Sequence, residues 1–441
     1  MPNEASRSSE SVWLLPGLML LGAVLGLLLG TLVGPSWNDP DLQGFVLAVR
    51  LCGSVFLSLL KALIIPLIVT SVITGVTRMG DVRRLGRVAV VVFGYFAAVM
   101  LSAVIVGLVF VNLISPGFRG RALEPSGIDE ALEAVAGHGT AQAIADVITG
   151  MFPPNLVEAA AEGNVLGLIV FSLIFGIVLA VEGRRARPLA EMLEIVNEAL
   201  LRLVRWVIWL APLGIFGLVA DRLGSAGGGE AVWGELRRLG WYALTVVISL
   251  LFHGMVTLPL FIRFFARRSP LKFAKGMKEA LIMALGTASS AATMAVTMRC
   301  AIVANKVKRR AVDLVIPLGT TVNMSGTALY EAVAVIFIAQ SMDIQLPLAQ
   351  QFVVLITATL AAVGAAAIPE AGLVTMVLVL SAVGLPAEGV GLILSIDWVL
   401  DRLRTAMNVW DDAVGAAIVE RHLPDEAAWS LEEPEPLPTR S

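Results

Sequence analysis

The chain of 441 residues is 57% hydrophobic and only 15% charged, with a formal net charge of −3 and a mean hydropathy of +0.84. Soluble domains carry about 25% charged residues, so this balance excludes an ordinary water-soluble globule, and so much apolar surface equally excludes a disordered chain. Basic residues sit in short clusters rather than on a continuous face for nucleic acid, and Cys52, Cys300, His138, His253 and His422 are too few and scattered for a disulfide framework or a transition-metal site.

Residues 1–11 are polar, lack the basic region and cleavage site of a signal peptide, and are expected to form an N-terminal cytoplasmic tail. The apolar run 13–34 is long enough to cross a bilayer core of about 30 Å. Further spans are expected at 45–76, 88–114, 163–182, 194–221 and 234–265, which makes 12–265 a unit of six membrane helices. Beyond 270 the pattern changes. Segments 271–303 and 347–384 are apolar but interrupted, by Gly286-Thr287-Ala288-Ser289-Ser290 and by Ala366-Ala367-Ile368-Pro369-Glu370-Ala371-Gly372. Each half has about seventeen residues, marginal for a crossing at 1.5 Å per residue. Re-entrant helical hairpins fit better, although two kinked helix pairs would show similar breaks. Each is followed by a long helix, 307–341 and 388–420, so 270–421 holds a hairpin-plus-helix unit twice. Interrupted segments in corresponding positions of two repeats point to a transporter's substrate site near the midplane. Residues 422–441, rich in Glu and Pro, are expected to be an unstructured tail.

Basic clusters follow the second span (Arg78, Arg83, Arg84, Arg87), follow the fourth (Arg184, Arg185, Arg187) and precede the first hairpin (Arg263, Arg267, Arg268, Lys272, Lys275, Lys278). The positive-inside rule makes these ends cytoplasmic. Both termini then lie inside, and the hairpins enter from opposite sides. The expected fold is an all-α multi-pass membrane protein with eight transmembrane helices and two opposed re-entrant hairpins. Short external loops without a usable glycosylation sequon favour a bacterial plasma membrane over an animal one.

The last helix carries the densest chemistry. At about 100° per residue, Asp397, Asp401, Arg404, Asn408 and Asp412 share a stripe about 80° wide. Each charge facing lipid would cost at least about 2.5–3.5 kcal/mol, so the stripe must face protein or water. An internal salt-bridge ladder is the bland reading. Three Asp against one Arg, however, leave negative charge that wants a cation. An Arg held by one Asp can offer its fork to a ligand carboxylate while the other Asp takes an ammonium, which describes a site for a small acidic amino acid. In the preceding long helix, Gly319, Thr320, Thr321, Asn323, Met324, Ser325, Gly326 and Thr327 suggest local unwinding whose carbonyls, with Asn323, Asn408 and Asp412, suit a hard monovalent cation. A packing notch would use the same small residues. Glu331 is a lone acid in an apolar frame, cheapest to hold neutral, and hence a candidate proton carrier.

Several motifs stand in order along nearly the whole chain. They are Met151-Phe-Pro-Pro-Asn-Leu-Val-Glu158, the tip Ser289-Ser290-Ala-Ala-Thr293, Asn323-Met-Ser-Gly-Thr327, the tip Ile368-Pro-Glu-Ala-Gly372 and the Asp397 to Asp412 stripe. Together they resemble the dicarboxylate/amino acid:cation symporter family, the group of the glutamate and neutral amino acid transporters. The resemblance implies a homotrimer in which a scaffold holds three transport domains that move like elevators, with the hairpins as gates. It implies that Arg404 holds a side-chain carboxylate, Asp401 the amino group, and Asn408, Thr405 and Thr327 the rest of the substrate. Ser289 and Ser290, with the backbone at Ile368 and Gly372, would close over it. Arg404 and Asp401 together favour L-glutamate or L-aspartate over a C4-dicarboxylate or a neutral amino acid. No enzyme cofactor is implied; the coupling ions are Na+, H+ or both, and Glu331 matches the place of the proton carrier in proton-coupled members.

The departures concern those ions. The family element usually reads Asn-Met-Asp-Gly-Thr, and here Ser325 replaces the acid. That acid belongs to a third sodium site whose other ligands would fall on Phe96, Val99 and Met100, all non-ligating, so this site is expected to be degenerate. The site of Gly319, Asn323, Asn408 and Asp412 is intact, and a further one is implied at backbone near Thr321, Met324 and the second hairpin. Fewer than three Na+ per cycle, or H+ through Glu331 with one retained cation site, is the resulting expectation. An intramembrane hydrolase is disfavoured, since the Asp residues share one helix and no Gly-x-Ser-x-Gly nucleophile is present; an amino-acid-gated anion channel or sensor stays open.

Overall fold

Helix formation follows from the solvent: backbone polar groups with no water to bond must be satisfied within the segment. The computed structural model describes residues 4–77, 82–119, 145, 148–162, 164–225, 227–364, 371–386 and 390–423, and all its regular elements are helical. The N-terminal part comprises α1 (Glu4–Val33), α2 (Gln43–Thr77), α3 (Val82–Ile114), the short α4 (Leu156–Glu162), α5 (Val165–Glu182), α6 (Arg187–Ile208), α7 (Ala211–Ser225) and α8 (Glu230–Phe252). Helix α8 continues through π-turns His253–Thr257 and Ile262–Ala266. The C-terminal part comprises α9 (Pro270–Thr287), α10 (Ser290–Arg299), α11 (Arg309–Val322), α12 (Ser325–Ser341), α13 (Leu348–Gly364), α14 (Ala371–Ala382) and α15 (Val390–Val419). Six described helical stretches are long and apolar enough to cross a membrane.

Three boundaries differ from the sequence reading. Helix α1 begins at Glu4, inside the expected polar tail. The fifth expected span is bent by 53° between α6 and α7, because Pro212 at the start of α7 lacks an N–H for the preceding turn and crowds the residue before it. The long helix expected over 307–341 is two, α11 and α12, separated where Asn323 (φ −116°, ψ 79°) and Met324 (φ −110°, ψ 66°) leave helical geometry.

Both interrupted segments form pairs of helices packed on each other, α9 with α10 and α13 with α14. The first turns at Ala288, which takes a left-handed φ of 48°, and restarts when the Ser289 hydroxyl accepts the Ala292 N–H at 3.3 Å as an N-cap. The tip of the second, 365–370, lies outside the described residues, and with it Ala367, Ile368 and Glu370. The same holds for 424–441, most of the expected C-terminal tail.

Helix α12 is the centre of the fold. Every residue from Ser325 to Ser341 is buried, as expected of a helix enclosed on all sides, and α3, α8, α13, α14 and α15 pack around it. Elsewhere contact relies on small residues. Gly22, Gly26 and Gly30, one per turn of α1, let its backbone lie against α7, where a Cβ added at Gly26 would sit 2.7 Å from the Phe216 carbonyl oxygen. Gly26→Leu should therefore lower stability by about 1–3 kcal/mol in thermal unfolding of the detergent-solubilised protein. Gly17→Leu on the same helix, where a Cβ meets nothing within 4 Å, should leave it unchanged.

Candidate functional site

The α15 stripe faces inward as its periodicity requires. Arg404 is 1% exposed, and its Nη2 donates to Asp401 Oδ1 at 2.7 Å and to Asp397 Oδ2 at 3.2 Å. Both acids thus hold Nη2 of the guanidinium, where the spacing alone suggested one. The Tyr330 ring from α12 covers its face, with Cζ 3.9 Å from the ring centroid. Nε and Nη1 have no hydrogen-bond partner among the described residues, and neither has Asp397 Oδ1. The free edge looks toward the second hairpin: a Cβ added at Gly372, at the start of α14, would collide with Nη1 and lie 3.4 Å from Thr327 Cγ2. A buried planar fork with unmet donors is a receptor for a carboxylate.

The break in the central helix is held open by α15. Asn408 Oδ1 accepts the Gly326 N–H at 2.8 Å, satisfying one of the donors orphaned at the start of α12, and its Nδ2 donates to Thr327 Oγ1 at 3.4 Å. Asn323, at the break, donates from Nδ2 to Asp411 Oδ1 at 2.7 Å and to Asp412 Oδ1 at 3.0 Å, while its own Oδ1 is buried without a partner. The Ser325 hydroxyl donates to Asp411 Oδ2, and the Tyr95 hydroxyl of α3 to the Asp411 carbonyl at 2.7 Å. Only glycine fits at 319, since a Cβ there would fall on the Asp412 carboxylate. Among the described residues no Lys or Arg pairs with Asp411 or Asp412, so two adjacent carboxylates bridged by the Asn323 amide nitrogen carry excess negative charge, and the Asn323 oxygen is left free to accept. Such a donor set fits a hard cation and not a soft transition metal.

A third feature joins the site to the hairpin. Glu331, fully buried on α12, accepts from the Thr375 hydroxyl of α14, and its Oε2 has no partner. Gly372 and Thr375 are one turn apart on the same face of α14, so a single helical turn meets both Arg404 and Glu331.

Most residues named from the sequence thus lie on α11, α12 and α15 or at the break between the first two. Ser290 and Thr405 are buried, Met324 is buried at the break, and Thr321 is half-buried with its hydroxyl donating to the Leu318 carbonyl at 3.0 Å. Ser289 is spent on capping α10. Phe96, Val99 and Met100 are buried on α3 and supply no oxygen. Three residues were not anticipated as site members: Asp411, Tyr330 and Thr375. Asp411 lies about 20° outside the polar stripe, and the one available signal was a second acid beside Asp412 in an apolar frame.

Residues 15–422 match the sodium:dicarboxylate symporter family. Among curated proteins, excitatory amino acid transporter 3 of Oryctolagus cuniculus is 38% identical, covering 95% of this chain and 87% of its own length. The Homo sapiens protein of the same name has the same identity and coverage, and excitatory amino acid transporter 1 of Ambystoma tigrinum is 38% identical over 83% of this chain and 76% of its own length.

The charge geometry has a consequence for stability. Arg404→Leu leaves Asp397 and Asp401 buried without their cation and should cost about 3–5 kcal/mol in thermal or denaturant unfolding in detergent. Adding Asp397→Asn and Asp401→Asn to that variant should recover most of the loss. Equal stability of Arg404→Leu and wild type would contradict the arrangement.

Proposed function

The chain belongs to the sodium:dicarboxylate symporter family, and we propose from that premise that it is a secondary active symporter of L-glutamate or L-aspartate, driven by a cation gradient and not an enzyme. The observation that carries the substrate class is the half-satisfied Arg404, fixed at Nη2 by Asp397 and Asp401 and unmet at Nη1 and Nε. A side-chain carboxylate takes the free Nη1 beside Gly372. The substrate ammonium competes for Asp401, and Asp397 keeps the guanidinium in place while it does so. Thr327, Thr405 and Asn408 line the remaining polar contacts, with Ser289 and Ser290 approaching from the first hairpin and Gly372 and Ile368 from the second.

The coupling cation belongs at the break in the central helix, with Gly319, Thr321, Asn323, Met324, Asn408 and Asp412 around it. Asp411, bonded to Ser325, brings a carboxylate to the neighbourhood where the family's acid is replaced by Ser. Phe96, Val99 and Met100 offer nothing to a separate third site, which supports a stoichiometry below three Na+ or a share of the work done by H+ on Glu331. Because α14 touches Arg404 and Glu331 within one turn, closure of the second hairpin senses substrate and proton together. The finer architecture follows the family: eight spans, two opposed hairpins as gates, an elevator motion and a homotrimer. The basic clusters support cytoplasmic termini in a plasma membrane.

Proteoliposomes carrying the full chain should accumulate labelled aspartate or glutamate against its gradient when an inward sodium gradient is imposed; downhill flux alone would make it a channel or sensor instead. Arg404→Ala should abolish that uptake, and unchanged uptake would refute the site. Gly372→Val, whose side chain displaces Nη1, should raise KM for the acidic substrate roughly ten- to a hundredfold, the worth of a charged hydrogen bond. Reversal potentials under separate sodium and proton gradients give the stoichiometry. Asp412→Asn should weaken the sodium dependence, and Glu331→Gln should remove the proton dependence if Glu331 carries it; a stoichiometry of three Na+ would overturn the coupling proposal.

A further inference from the structure

The face of α15 opposite the stripe borders a crevice of about 590 Å³ between α8, α9 and α15. Its floor is Met407 and Trp410, and its wall on α9 is Leu271, Ala274, Leu281 and Leu285. Trp410 closes the floor by donating from Nε1 to the Gly254 carbonyl of the first π-turn at 3.1 Å. The lining is almost wholly apolar, the volume lies in the range of ligand sites, and the rim is exposed hydrophobic surface, with Leu271 78% and Met255 71% accessible. In a membrane such a crevice opens to the acyl region.

Unpaired positive charge lies near the crevice. On α9, Lys278 falls inside the same stripe of about 80° as Leu271, Ala274, Leu281 and Leu285, which makes it the one charged residue on that face of α9, beside an uncharged lining. On α8, Arg263 comes four residues after Pro259, another lining residue. Both are exposed, and among the described residues neither forms an ion pair. Arg267, Lys272 and Lys275 add exposed positive charge around the same end. An apolar slot beside unpaired cations is complementary to one kind of molecule abundant in a bilayer. We infer that this crevice binds an anionic glycerophospholipid, with an acyl chain against Met407 and Trp410 and its phosphate between Arg263 and Lys278.

The occupant would brace the back of the helix whose front holds Arg404 and Asn408. A topology signal alone would need the positive charge but not the crevice, and a lipid-facing gap alone would need the crevice but not the charge. The two can therefore be separated by experiment.

Native mass spectrometry of the full chain released from detergent, with phosphatidylglycerol and phosphatidylcholine offered in equal amounts, reads the preference directly. Wild type should retain phosphatidylglycerol preferentially. Arg263→Gln with Lys278→Gln should reduce that preference about twenty-five-fold, at about fivefold for each cation removed, while Arg263→Lys with Lys278→Arg keeps it. Ala274→Trp, which fills the slot, should lower retention of both lipids. Arg184→Gln with Arg185→Gln, in a basic cluster away from the crevice, should change nothing. Equal retention of the two lipids by wild type, undiminished binding in Ala274→Trp, or an equal loss from the Arg184 and Arg185 variant would each overturn the proposal.

Discussion

A guanidinium buried in a membrane protein is tolerable only where its charge and donors are answered, and this requirement organises the C-terminal half of the chain. Arg404 is answered on one edge by Asp397 and Asp401 and on its face by Tyr330. All three acidic and basic groups lie on one helix, so the arrangement forms wherever α15 forms. What α15 alone cannot do is exclude lipid. That falls to α12, buried along its whole length, and to the paired helices packed around it. The cost of exposing even one of these charges to hydrocarbon, at least about 2.5–3.5 kcal/mol, is comparable to a substantial part of a domain's net stability.

The interruption of the central helix follows from the same economy of polar groups. Breaking a helix in a dry core orphans backbone donors and acceptors. Asn408 satisfies the Gly326 N–H from the neighbouring helix, and Asn323 turns its side chain to Asp411 and Asp412. The break is therefore stabilised by the polar residues that give it chemistry. Small residues do the steric part: Gly319 admits the Asp412 carboxylate, Gly326 the Arg404 carbonyl, and Gly372 the Arg404 fork.

Much of this was legible in the sequence, for reasons that separate what local pattern encodes from what packing decides. Charge is so costly in an apolar frame that Asp397, Asp401, Arg404, Asn408 and Asp412 identify themselves by angle alone. Gly and Asn in mid-helix announced the break near 323, and the interruption at 286–290 announced a turn. Asp411 escaped because its carboxylate reaches the site only through Asn323 and Ser325 on another helix. Tyr330 and Thr375 escaped because an aromatic ring and a hydroxyl are ordinary in a membrane helix until their partners are known. The bend at Pro212 was overlooked for a different reason: the hydropathy of 194–221 is continuous, and a proline changes direction without interrupting an apolar run.

The preponderance of acid over base at the site bears on why such a protein needs cations at all. Within the described core, Asp397 and Asp401 share the Arg404 guanidinium, while Asp411 and Asp412 have no Lys or Arg partner. An acidic amino acid brings two carboxylates and one ammonium, so binding it adds to an excess of negative charge already held in a poor dielectric. A neutral cargo would not. In the proposed cycle a cation at the Asn323 cluster lowers that excess before the hairpin closes, and a proton on Glu331, bonded to the hairpin through Thr375, lowers it further. Coupling then needs no mechanical link between distant sites, since substrate and cations answer the same charge balance and α14 contacts both ends of it.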